Sequence, residues 1–133
     1  MSKMFGALDA AASGVTLGRT MMDVIGNNIA NLDTVRAAGV APFRASLVVA
    51  QAQPGTDGVA VTGTVEQGGQ PDVTYDPENP LADASGYVTR PKVDLTEEMT
   101  NMMMASRLYQ ANLSVMQQAR DSYTQALRIG TGS

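Results

Sequence analysis

Apolar residues recur with helical spacing in two long stretches, one towards each end of the chain. In the first stretch an apolar residue returns every seven positions, and a second series fills the positions between, interrupted by Gly18. In the second stretch apolar residues step by three or four, from Leu95 to Leu127. Each series places one narrow stripe on a helix. Such a stripe is typical of a coiled-coil seam, so both stretches are predicted to pack against other helices.

The two stretches predict a helix over residues 3–32 and a second helix that begins after Asp94. Asp94 is a favourable N-cap with Glu97 three residues later, and Gly130 is expected to end this helix. Four interior glycines lower the intrinsic helix preference of the first helix by about 3–4 kcal/mol. Small residues also let a partner helix approach closely. We therefore interpret these glycines as packing contacts, with a frayed N-terminus as the alternative.

The middle of the chain alternates short apolar runs with turn signals. Strands are predicted over residues 43–50, 59–65, 73–75 and 86–89. Turns are predicted at 54–58 and 68–71, and a loop with two prolines at 76–80 precedes the fourth strand. The strands are expected to form a small β element of two hairpins.

Length indicates how these elements fit together. Thirty helical residues span about 45 Å, whereas a compact domain of this size is roughly 36 Å across. The predicted fold class is α+β, with N- and C-terminal helices paired as an antiparallel coiled-coil hairpin and the small β-rich insert at one tip. The predicted division is 1–34 for the N-terminal helix, 35–93 for the insert, 94–130 for the C-terminal helix and 131–133 for a tail. One shared seam leaves other helix faces partly apolar, so further chains are expected to cover them.

Composition removes several classes of function. The chain has 133 residues without Cys or His, which excludes disulfides, thiol chemistry, Cys/His zinc sites and the commonest general base. Its net charge of -4 argues against general nucleic-acid binding. No run approaches the roughly 18 apolar residues of a membrane span, and the first residues lack the apolar core of a secretory signal. No cofactor is expected, and a carboxylate metalloenzyme stays only as an alternative hypothesis.

Charge and amides are unevenly distributed. Residues 45–89 contain no Lys or Arg and six acidic residues. This segment is either a solvated surface or a face that meets a basic neighbour. Asn27, Asn28 and Asn31 form a polar strip beside the predicted seam. They are either solvated amides near a helix end or amides that bond neighbouring helices and fix register.

Three segments resemble a known family. Ala12-Ser-Gly-Val, followed by Met22-Asp-Val-Ile-Gly-Asn-Asn-Ile-Ala-Asn-Leu-Asp-Thr, is similar to the N-terminal signature of bacterial flagellar rod and hook proteins. Residues 75–88 and 91–112 resemble segments of proximal-rod members of that family. Gly26 stands where the family more often has Ala or Ser, and residues 51–71 match no family segment.

The resemblance implies a structural subunit of the proximal rod of the flagellar basal body, and no enzyme. Such a subunit is exported by the flagellar type III apparatus without a Sec signal, assembles helically around the export channel in the periplasm and transmits motor torque. Its implied partners are copies of itself, the rod proteins FlgB, FlgF and FlgG, the rod-base protein FliE and the export apparatus, with the MS ring as a further candidate. Neither nucleic acid nor direct membrane insertion is implied. The alternative is a soluble coiled-coil adaptor protein.

On this basis we expect packing within and between subunits from apolar residues of both helices. They are Leu8, Val15, Met22, Ile25, Ile29, Leu32, Met102, Tyr109, Leu113 and Met116. Polar contacts between subunits are expected from Asn27, Asn28, Asn31 and Arg107. No catalytic, cofactor-binding or metal-binding residue is predicted.

Overall fold

Two long helices with four short strands between them in sequence make up the computed structural model, which describes residues 2–37, 39–54 and 58–131. The elements are α1 Ser2–Ala30, β1 Ser46–Ala52, β2 Val59–Glu66, β3 Asp72–Tyr75, β4 Tyr87–Arg90 and α2 Leu95–Thr131. The contact between α1 and α2 is the most extensive between the described elements. The predicted α+β class, with paired terminal helices around a β insert, is confirmed.

Contacts at the two ends of the paired helices show that they run antiparallel. The Phe5 and Tyr123 rings lie at one end, with centroids 6.2 Å apart. At the other end the Asn28 amide donates to the Glu98 carboxylate at 3.2 Å. The start of α1 therefore lies beside the end of α2.

The insert consists of two separate antiparallel hairpins, as the turn signals indicated. β1 pairs with β2, with Ser46 opposite Glu66. β3 pairs with β4, with Asp72 opposite Arg90. The strand bounds differ from the prediction by three residues or fewer. Residues 55–57 of the predicted turn at 54–58 lie outside the described residues.

The β1–β2 hairpin lies along α1, which corrects the expectation of one β element at the tip. The Ser46 backbone is bonded to Asn28 near the end of α1, and the Val59 N–H donates to Ser13 Oγ at 3.0 Å near its middle. Fifteen helical residues span about 22 Å, and seven strand residues span about 23 Å. The hairpin therefore matches the helix segment it covers. Two strands alone are marginally stable in water, so the hairpin needs this support.

The β3–β4 hairpin is the element at the tip. Arg36, just beyond α1, forms an isolated antiparallel bridge with Thr89 of β4. The Arg36 N–H donates to the Thr89 carbonyl at 3.0 Å. This pairing attaches the short hairpin to the segment that leaves α1.

The ends of α2 combine a confirmed cap with a corrected stop. Asp94 Oδ1 accepts the N–H groups of Thr96 at 2.7 Å and Glu97 at 3.2 Å, so Asp94 is the N-cap. The helix continues through Gly130 to Thr131, so the predicted stop at Gly130 is wrong by one residue. Glycine permits a helix end but does not impose one, and helix ends vary by a residue or two. Of the predicted tail, residues 132–133 lie outside the described residues.

The core is thin and contains mostly small side chains. The buried apolar residues are Ala11, Ile25, Ala45, Val88 and Ala105. Because these side chains remove little apolar surface from water, the fold depends on close backbone approach and on polar contacts between its elements.

Candidate functional site

The seam between the helices is lined by small and polar residues. The buried residues along α1 are Ala11, Gly14, Gly18, Ile25 and Asn28. The predicted heptad positions Leu8, Val15, Met22 and Ile29 are all half-buried. At two places the buried residue comes one position before the apolar series. Gly14 is buried there because it lets α2 approach closely, and Asn28 is buried there because its amide bonds Glu98 of α2.

Two glycines of α1 are in direct contact with α2. A Cβ atom on Gly18 would lie 3.1 Å from the backbone N and Cα of Tyr109. A Cβ atom on Gly14 would lie 2.5 Å from the Asn112 amide. The interpretation of these glycines as packing contacts is confirmed for Gly14 and Gly18. A Cβ atom on Gly26 would have Met102 Cε as its nearest neighbour, at 4.0 Å, so the two helices approach each other less closely there.

A buried polar cluster joins α1, β1 and α2. Asn28 Oδ1 accepts the Ser46 N–H at 2.9 Å, and Asn28 Nδ2 donates to the Ser46 carbonyl at 3.0 Å. The same Nδ2 donates to the two Glu98 carboxylate oxygens at 3.3 and 3.2 Å. Asn28 is fully buried and Glu98 is 3% exposed. By bonding both backbone groups of Ser46, the Asn28 side chain continues the edge of β1 as a neighbouring strand would.

Glu98 is a buried carboxylate at the start of α2. Glu98 has no basic partner among the described residues, because the one ion pair found within them joins Arg90 and Asp33. Its stabilisation comes from the Asn28 amide and from the positive end of the helix dipole, which favours an acidic group in the first turn.

The four predicted polar contact residues lie in different environments. Asn28 makes its hydrogen bonds within the chain, so its position supports an intrachain role in place of the predicted contact between subunits. Asn27 is exposed, and Asn31 Nδ2 donates to its carbonyl at 2.8 Å. Arg107 is exposed on α2. Asn27 and Arg107 therefore stay available at the surface, and Asn31 is half-buried beside Asn27.

The predicted packing residues divide between the seam and an open groove. Ile25 is buried, and Tyr109 lies against Gly18. Leu32 lies in the turn after α1 and not on the helix. Leu8, Leu113 and Met116 line a groove of about 540 Å³ between the start of α1 and the second half of α2, with Phe5 and Tyr123.

Apolar side chains of α2 are also exposed on both sides of the seam. Given the rotation of a helix per residue, Met99, Met103 and Leu113 lie on one side, and Met104 and Val115 lie on the other. Their exposed fractions run from 36% at Leu113 to 63% at Met104. We call these two rows the apolar flanks. Methionine adapts to irregular partners, and exposed apolar patches mark interaction surfaces.

The described residues provide little for metal chemistry. Within 2–37, 39–54 and 58–131, no three His, Cys, Asp or Glu side chains are grouped so that they could hold a metal ion. Among the helices of the described chain, none is both long and apolar enough to span a bilayer.

Comparison with known proteins agrees with this architecture. Residues 8–37 match the model of the flagella basal body rod protein family, and residues 84–129 match the C-terminal model of flagellar basal body rod FlgEFG proteins. The flagellar basal-body rod protein FlgC of Escherichia coli O157:H7 is 41% identical over 126 residues, covering 92% of this chain and 94% of the relative.

Two further relatives carry the same name. Flagellar basal-body rod protein FlgC of Salmonella typhimurium is 40% identical, with the chain covered to 92% and the relative to 94%. That of Bacillus subtilis is 33% identical, with coverage of 95% and 97%. None of these findings supports the alternative of a coiled-coil adaptor. With paired terminal helices, a β insert and this similarity over nearly its whole length, the chain belongs to the FlgC family of flagellar basal-body rod proteins.

Proposed function

We propose that this rod subunit is built into the proximal part of the flagellar rod, in a helical array around the export channel. It carries motor torque through stiff packing between helices and catalyses no reaction. The observation that supports this best is the pair of apolar flanks on α2. The seam with α1 uses one face of α2 and leaves Met103 57% and Met104 63% exposed. Two flanks on one helix suit contact with two neighbouring helices.

In this proposal the subunit reaches the periplasm through the flagellar type III export apparatus and without a Sec signal. Its partners are copies of itself, the rod proteins FlgB, FlgF and FlgG, and the rod-base protein FliE, with the MS ring as a further candidate. Membership of the rod family supports these partners as a class. The flanks support contacts with helices, since their side chains are flexible, uncharged and apolar.

The predicted residues take different roles in this array. Ile25, Met102 and Tyr109 pack within the subunit, because they lie at or near the seam. Leu113 belongs to a flank and also lines the open groove, so it contacts neighbouring subunits. Asn27 and Arg107, which are exposed on the two helices, and Asn31, in the turn after α1, make polar contacts between subunits. The half-buried residues Val15, Met22 and Ile29 pack at the border of the seam.

The test uses a strain from which the gene for this chain has been deleted. The deletion is expected to abolish swimming, and the wild-type gene is expected to restore it. Met103→Asp should fail to restore swimming and rods in isolated basal bodies, because it places a charge in an apolar contact. The purified variant should keep its far-ultraviolet circular dichroism, since Met103 is 57% exposed in the single chain.

The control is Gln125→Asp, which adds the same charge at an exposed position about 33 Å further along α2. It should restore swimming. A deletion strain that still swims would contradict the proposed function. A Met103→Asp strain that swims normally would remove the flanks as contact surfaces.

A further inference from the structure

The β3–β4 hairpin ends in an acidic loop that faces solvent. The loop between the strands, residues 76–86, contains Asp76, Glu78 and Asp83, and Glu78 and Asp83 are exposed. No Lys or Arg occurs between residues 45 and 89, so the segment that contains this loop supplies no basic residue to neutralise it. We call this loop the acidic tip.

Basic residues surround the opposite end of the same hairpin. Arg90 ends β4, and Arg36 is bridged to the neighbouring Thr89. Arg44 and Lys92 line one cleft. We call Arg36, Arg44, Arg90 and Lys92 the basic base.

The basic base keeps an excess of positive charge. Arg90 lies 3.9 Å from Asp33, at the limit of an ion pair, and Asp72 is opposite Arg90 across the strands. Within the described part of the chain, Arg36, Arg44 and Lys92 have no ion-pair partner, and all three are exposed. Three cations are therefore available for a partner.

The acidic tip is held in one conformation before any partner binds. Asp83 Oδ1 accepts the N–H groups of Ser85 at 2.8 Å and Tyr87 at 2.9 Å. Gly86 adopts a φ of 81°, and its N–H donates to the Asp83 carbonyl at 2.9 Å. A preorganised loop loses little conformational entropy on binding.

Apolar surface accompanies the charge at both ends. Beside the tip, Tyr75 is 63% exposed, and its ring packs edge-on against Tyr87 at 5.2 Å. At the base, Phe43 and Pro71 line the same cleft as Arg44. Arginine packs well on aromatic rings, so the two ends are complementary in apolar as well as charged character.

The tip of one chain does not reach the base of the same chain. The four residues of β3 separate the two ends by about 13 Å, and the paired strands keep them apart. Complementary surfaces that cannot meet within one molecule are available to meet between molecules.

We propose that the acidic tip of one copy docks against the basic base of the next copy. Two different surfaces of one protein then meet head to tail, and such a contact repeats without closing into a dimer. It would thus set neighbouring subunits in order along an open helical array. This inference rests on the proposed rod function and names one contact by which copies recognise each other.

The test exchanges the charges at the two surfaces. Glu78→Lys and Arg44→Glu are each expected to weaken association between copies about tenfold, because each places like charges opposite one another. The double variant Glu78→Lys/Arg44→Glu should recover most of this loss, since it restores opposite charges at these two positions. Self-association of purified chains is measured by light scattering, as the osmotic second virial coefficient, at low and high salt.

The wild-type chain is expected to attract itself at low salt and to lose this attraction as salt shortens the screening length to about 8 Å and below. Asp121→Lys on α2 and Arg19→Glu on α1 are the controls, since they make the same charge changes at exposed positions outside both surfaces and should leave the attraction unchanged. Circular dichroism checks that every variant is folded. The proposed contact is wrong if the double variant associates no more strongly than the single variants. It is also wrong if the wild-type chain shows no salt-sensitive attraction.

The same variants in the deletion strain separate this inference from the proposed function. The single variants should lose most swimming, and the double variant should regain it. If the deletion strain does not swim but both single variants do, the rod function stands and the contact between tip and base is wrong. If the deletion strain swims, the rod function itself is wrong.

Discussion

Replacing Asn28 with alanine removes the side chain that joins α1, β1 and α2. The change deletes hydrogen bonds to the N–H and carbonyl of Ser46 and to the carboxylate of Glu98. Glu98 is 3% exposed, so its charge stays buried without the amide. The variant therefore tests whether this cluster holds the β1–β2 hairpin and α2 in place on α1.

The expected loss follows from the bonds that are removed. A neutral hydrogen bond contributes about 0.5–1.5 kcal/mol and a bond to a charged group about 1.5–3 kcal/mol. Two of the first kind and one of the second give about 2.5–6 kcal/mol. A cleft of about 130 Å³ beside the cluster, lined by Ile25 and Leu47 among others, gives water access to the freed groups. We therefore expect the lower part of the range, about 3 kcal/mol.

The assay is urea unfolding of the purified chain followed by far-ultraviolet circular dichroism. Because the core is thin, the series is measured in a fixed concentration of trimethylamine N-oxide, which favours the folded state and defines its baseline. With a slope of about 2 kcal/mol per molar urea, the midpoint of Asn28→Ala should fall by about 1.5 M.

Asn31→Ala is the matched control, since Asn31 lies three residues further along and bonds locally to Asn27 at the surface. Asn31→Ala should lower the free energy of unfolding by less than about 0.5 kcal/mol. Asn28→Asp should be at least as harmful as Asn28→Ala, because it places a second carboxylate against Glu98. Equal losses for Asn28→Ala and Asn31→Ala would refute the assignment of the cluster as the junction of the three elements.

Three further substitutions test single contacts. Gly18→Ala should lower the free energy of unfolding by about 1–3 kcal/mol, because its Cβ would lie 3.1 Å from the Tyr109 backbone. Gly26→Ala should raise the free energy of unfolding by about 0.5–1 kcal/mol through helix preference, because no atom would lie nearer than 4.0 Å to the added Cβ. Thermal unfolding compares the two variants. Ser13→Ala should speed amide hydrogen exchange in β2 while exchange within α2 stays unchanged, because the hairpin loses its anchor in the middle of α1. Asp94→Ala should cost about 1 kcal/mol in urea unfolding, as expected for a lost N-cap, and a cost near zero would show that the cap is replaced by water.

The spacing of apolar residues was sufficient to locate both helices, because helical periodicity is a local property of the chain. The N-cap at Asp94 and the four strands were found for the same reason, since caps and turns depend on nearby residues. The antiparallel pairing followed from helix length and the size of a compact domain.

Asn28 belongs to the amide strip predicted beside the seam, but its partner could not be found in this way. Asn28 and Glu98 are 70 residues apart, and a count of apolar residues passes over Glu98. On α2 the apolar series led to Met99, which is 55% exposed, whereas its neighbour Glu98 is buried. The contact that a buried polar residue makes is known only when its partner is known.

The position of the β1–β2 hairpin was equally inaccessible. It depends on the contact between Ser13 and Val59, which are 46 residues apart. Ser13 lies within the family-like segment Ala12-Ser-Gly-Val, so the signal was present, but nothing in the local sequence connects that serine to a strand.

The pairing of the first element of the chain with the last has a consequence for the timing of folding. About sixty residues separate α1 from α2, and closing a loop of that length costs about 3–4 kcal/mol before any contact forms. During synthesis α1 emerges long before the helix that covers its seam, and its glycines keep it from becoming a stable helix alone. The order of the elements therefore delays folding until α2 has been made. Until then the newly made polypeptide stays unfolded and narrow.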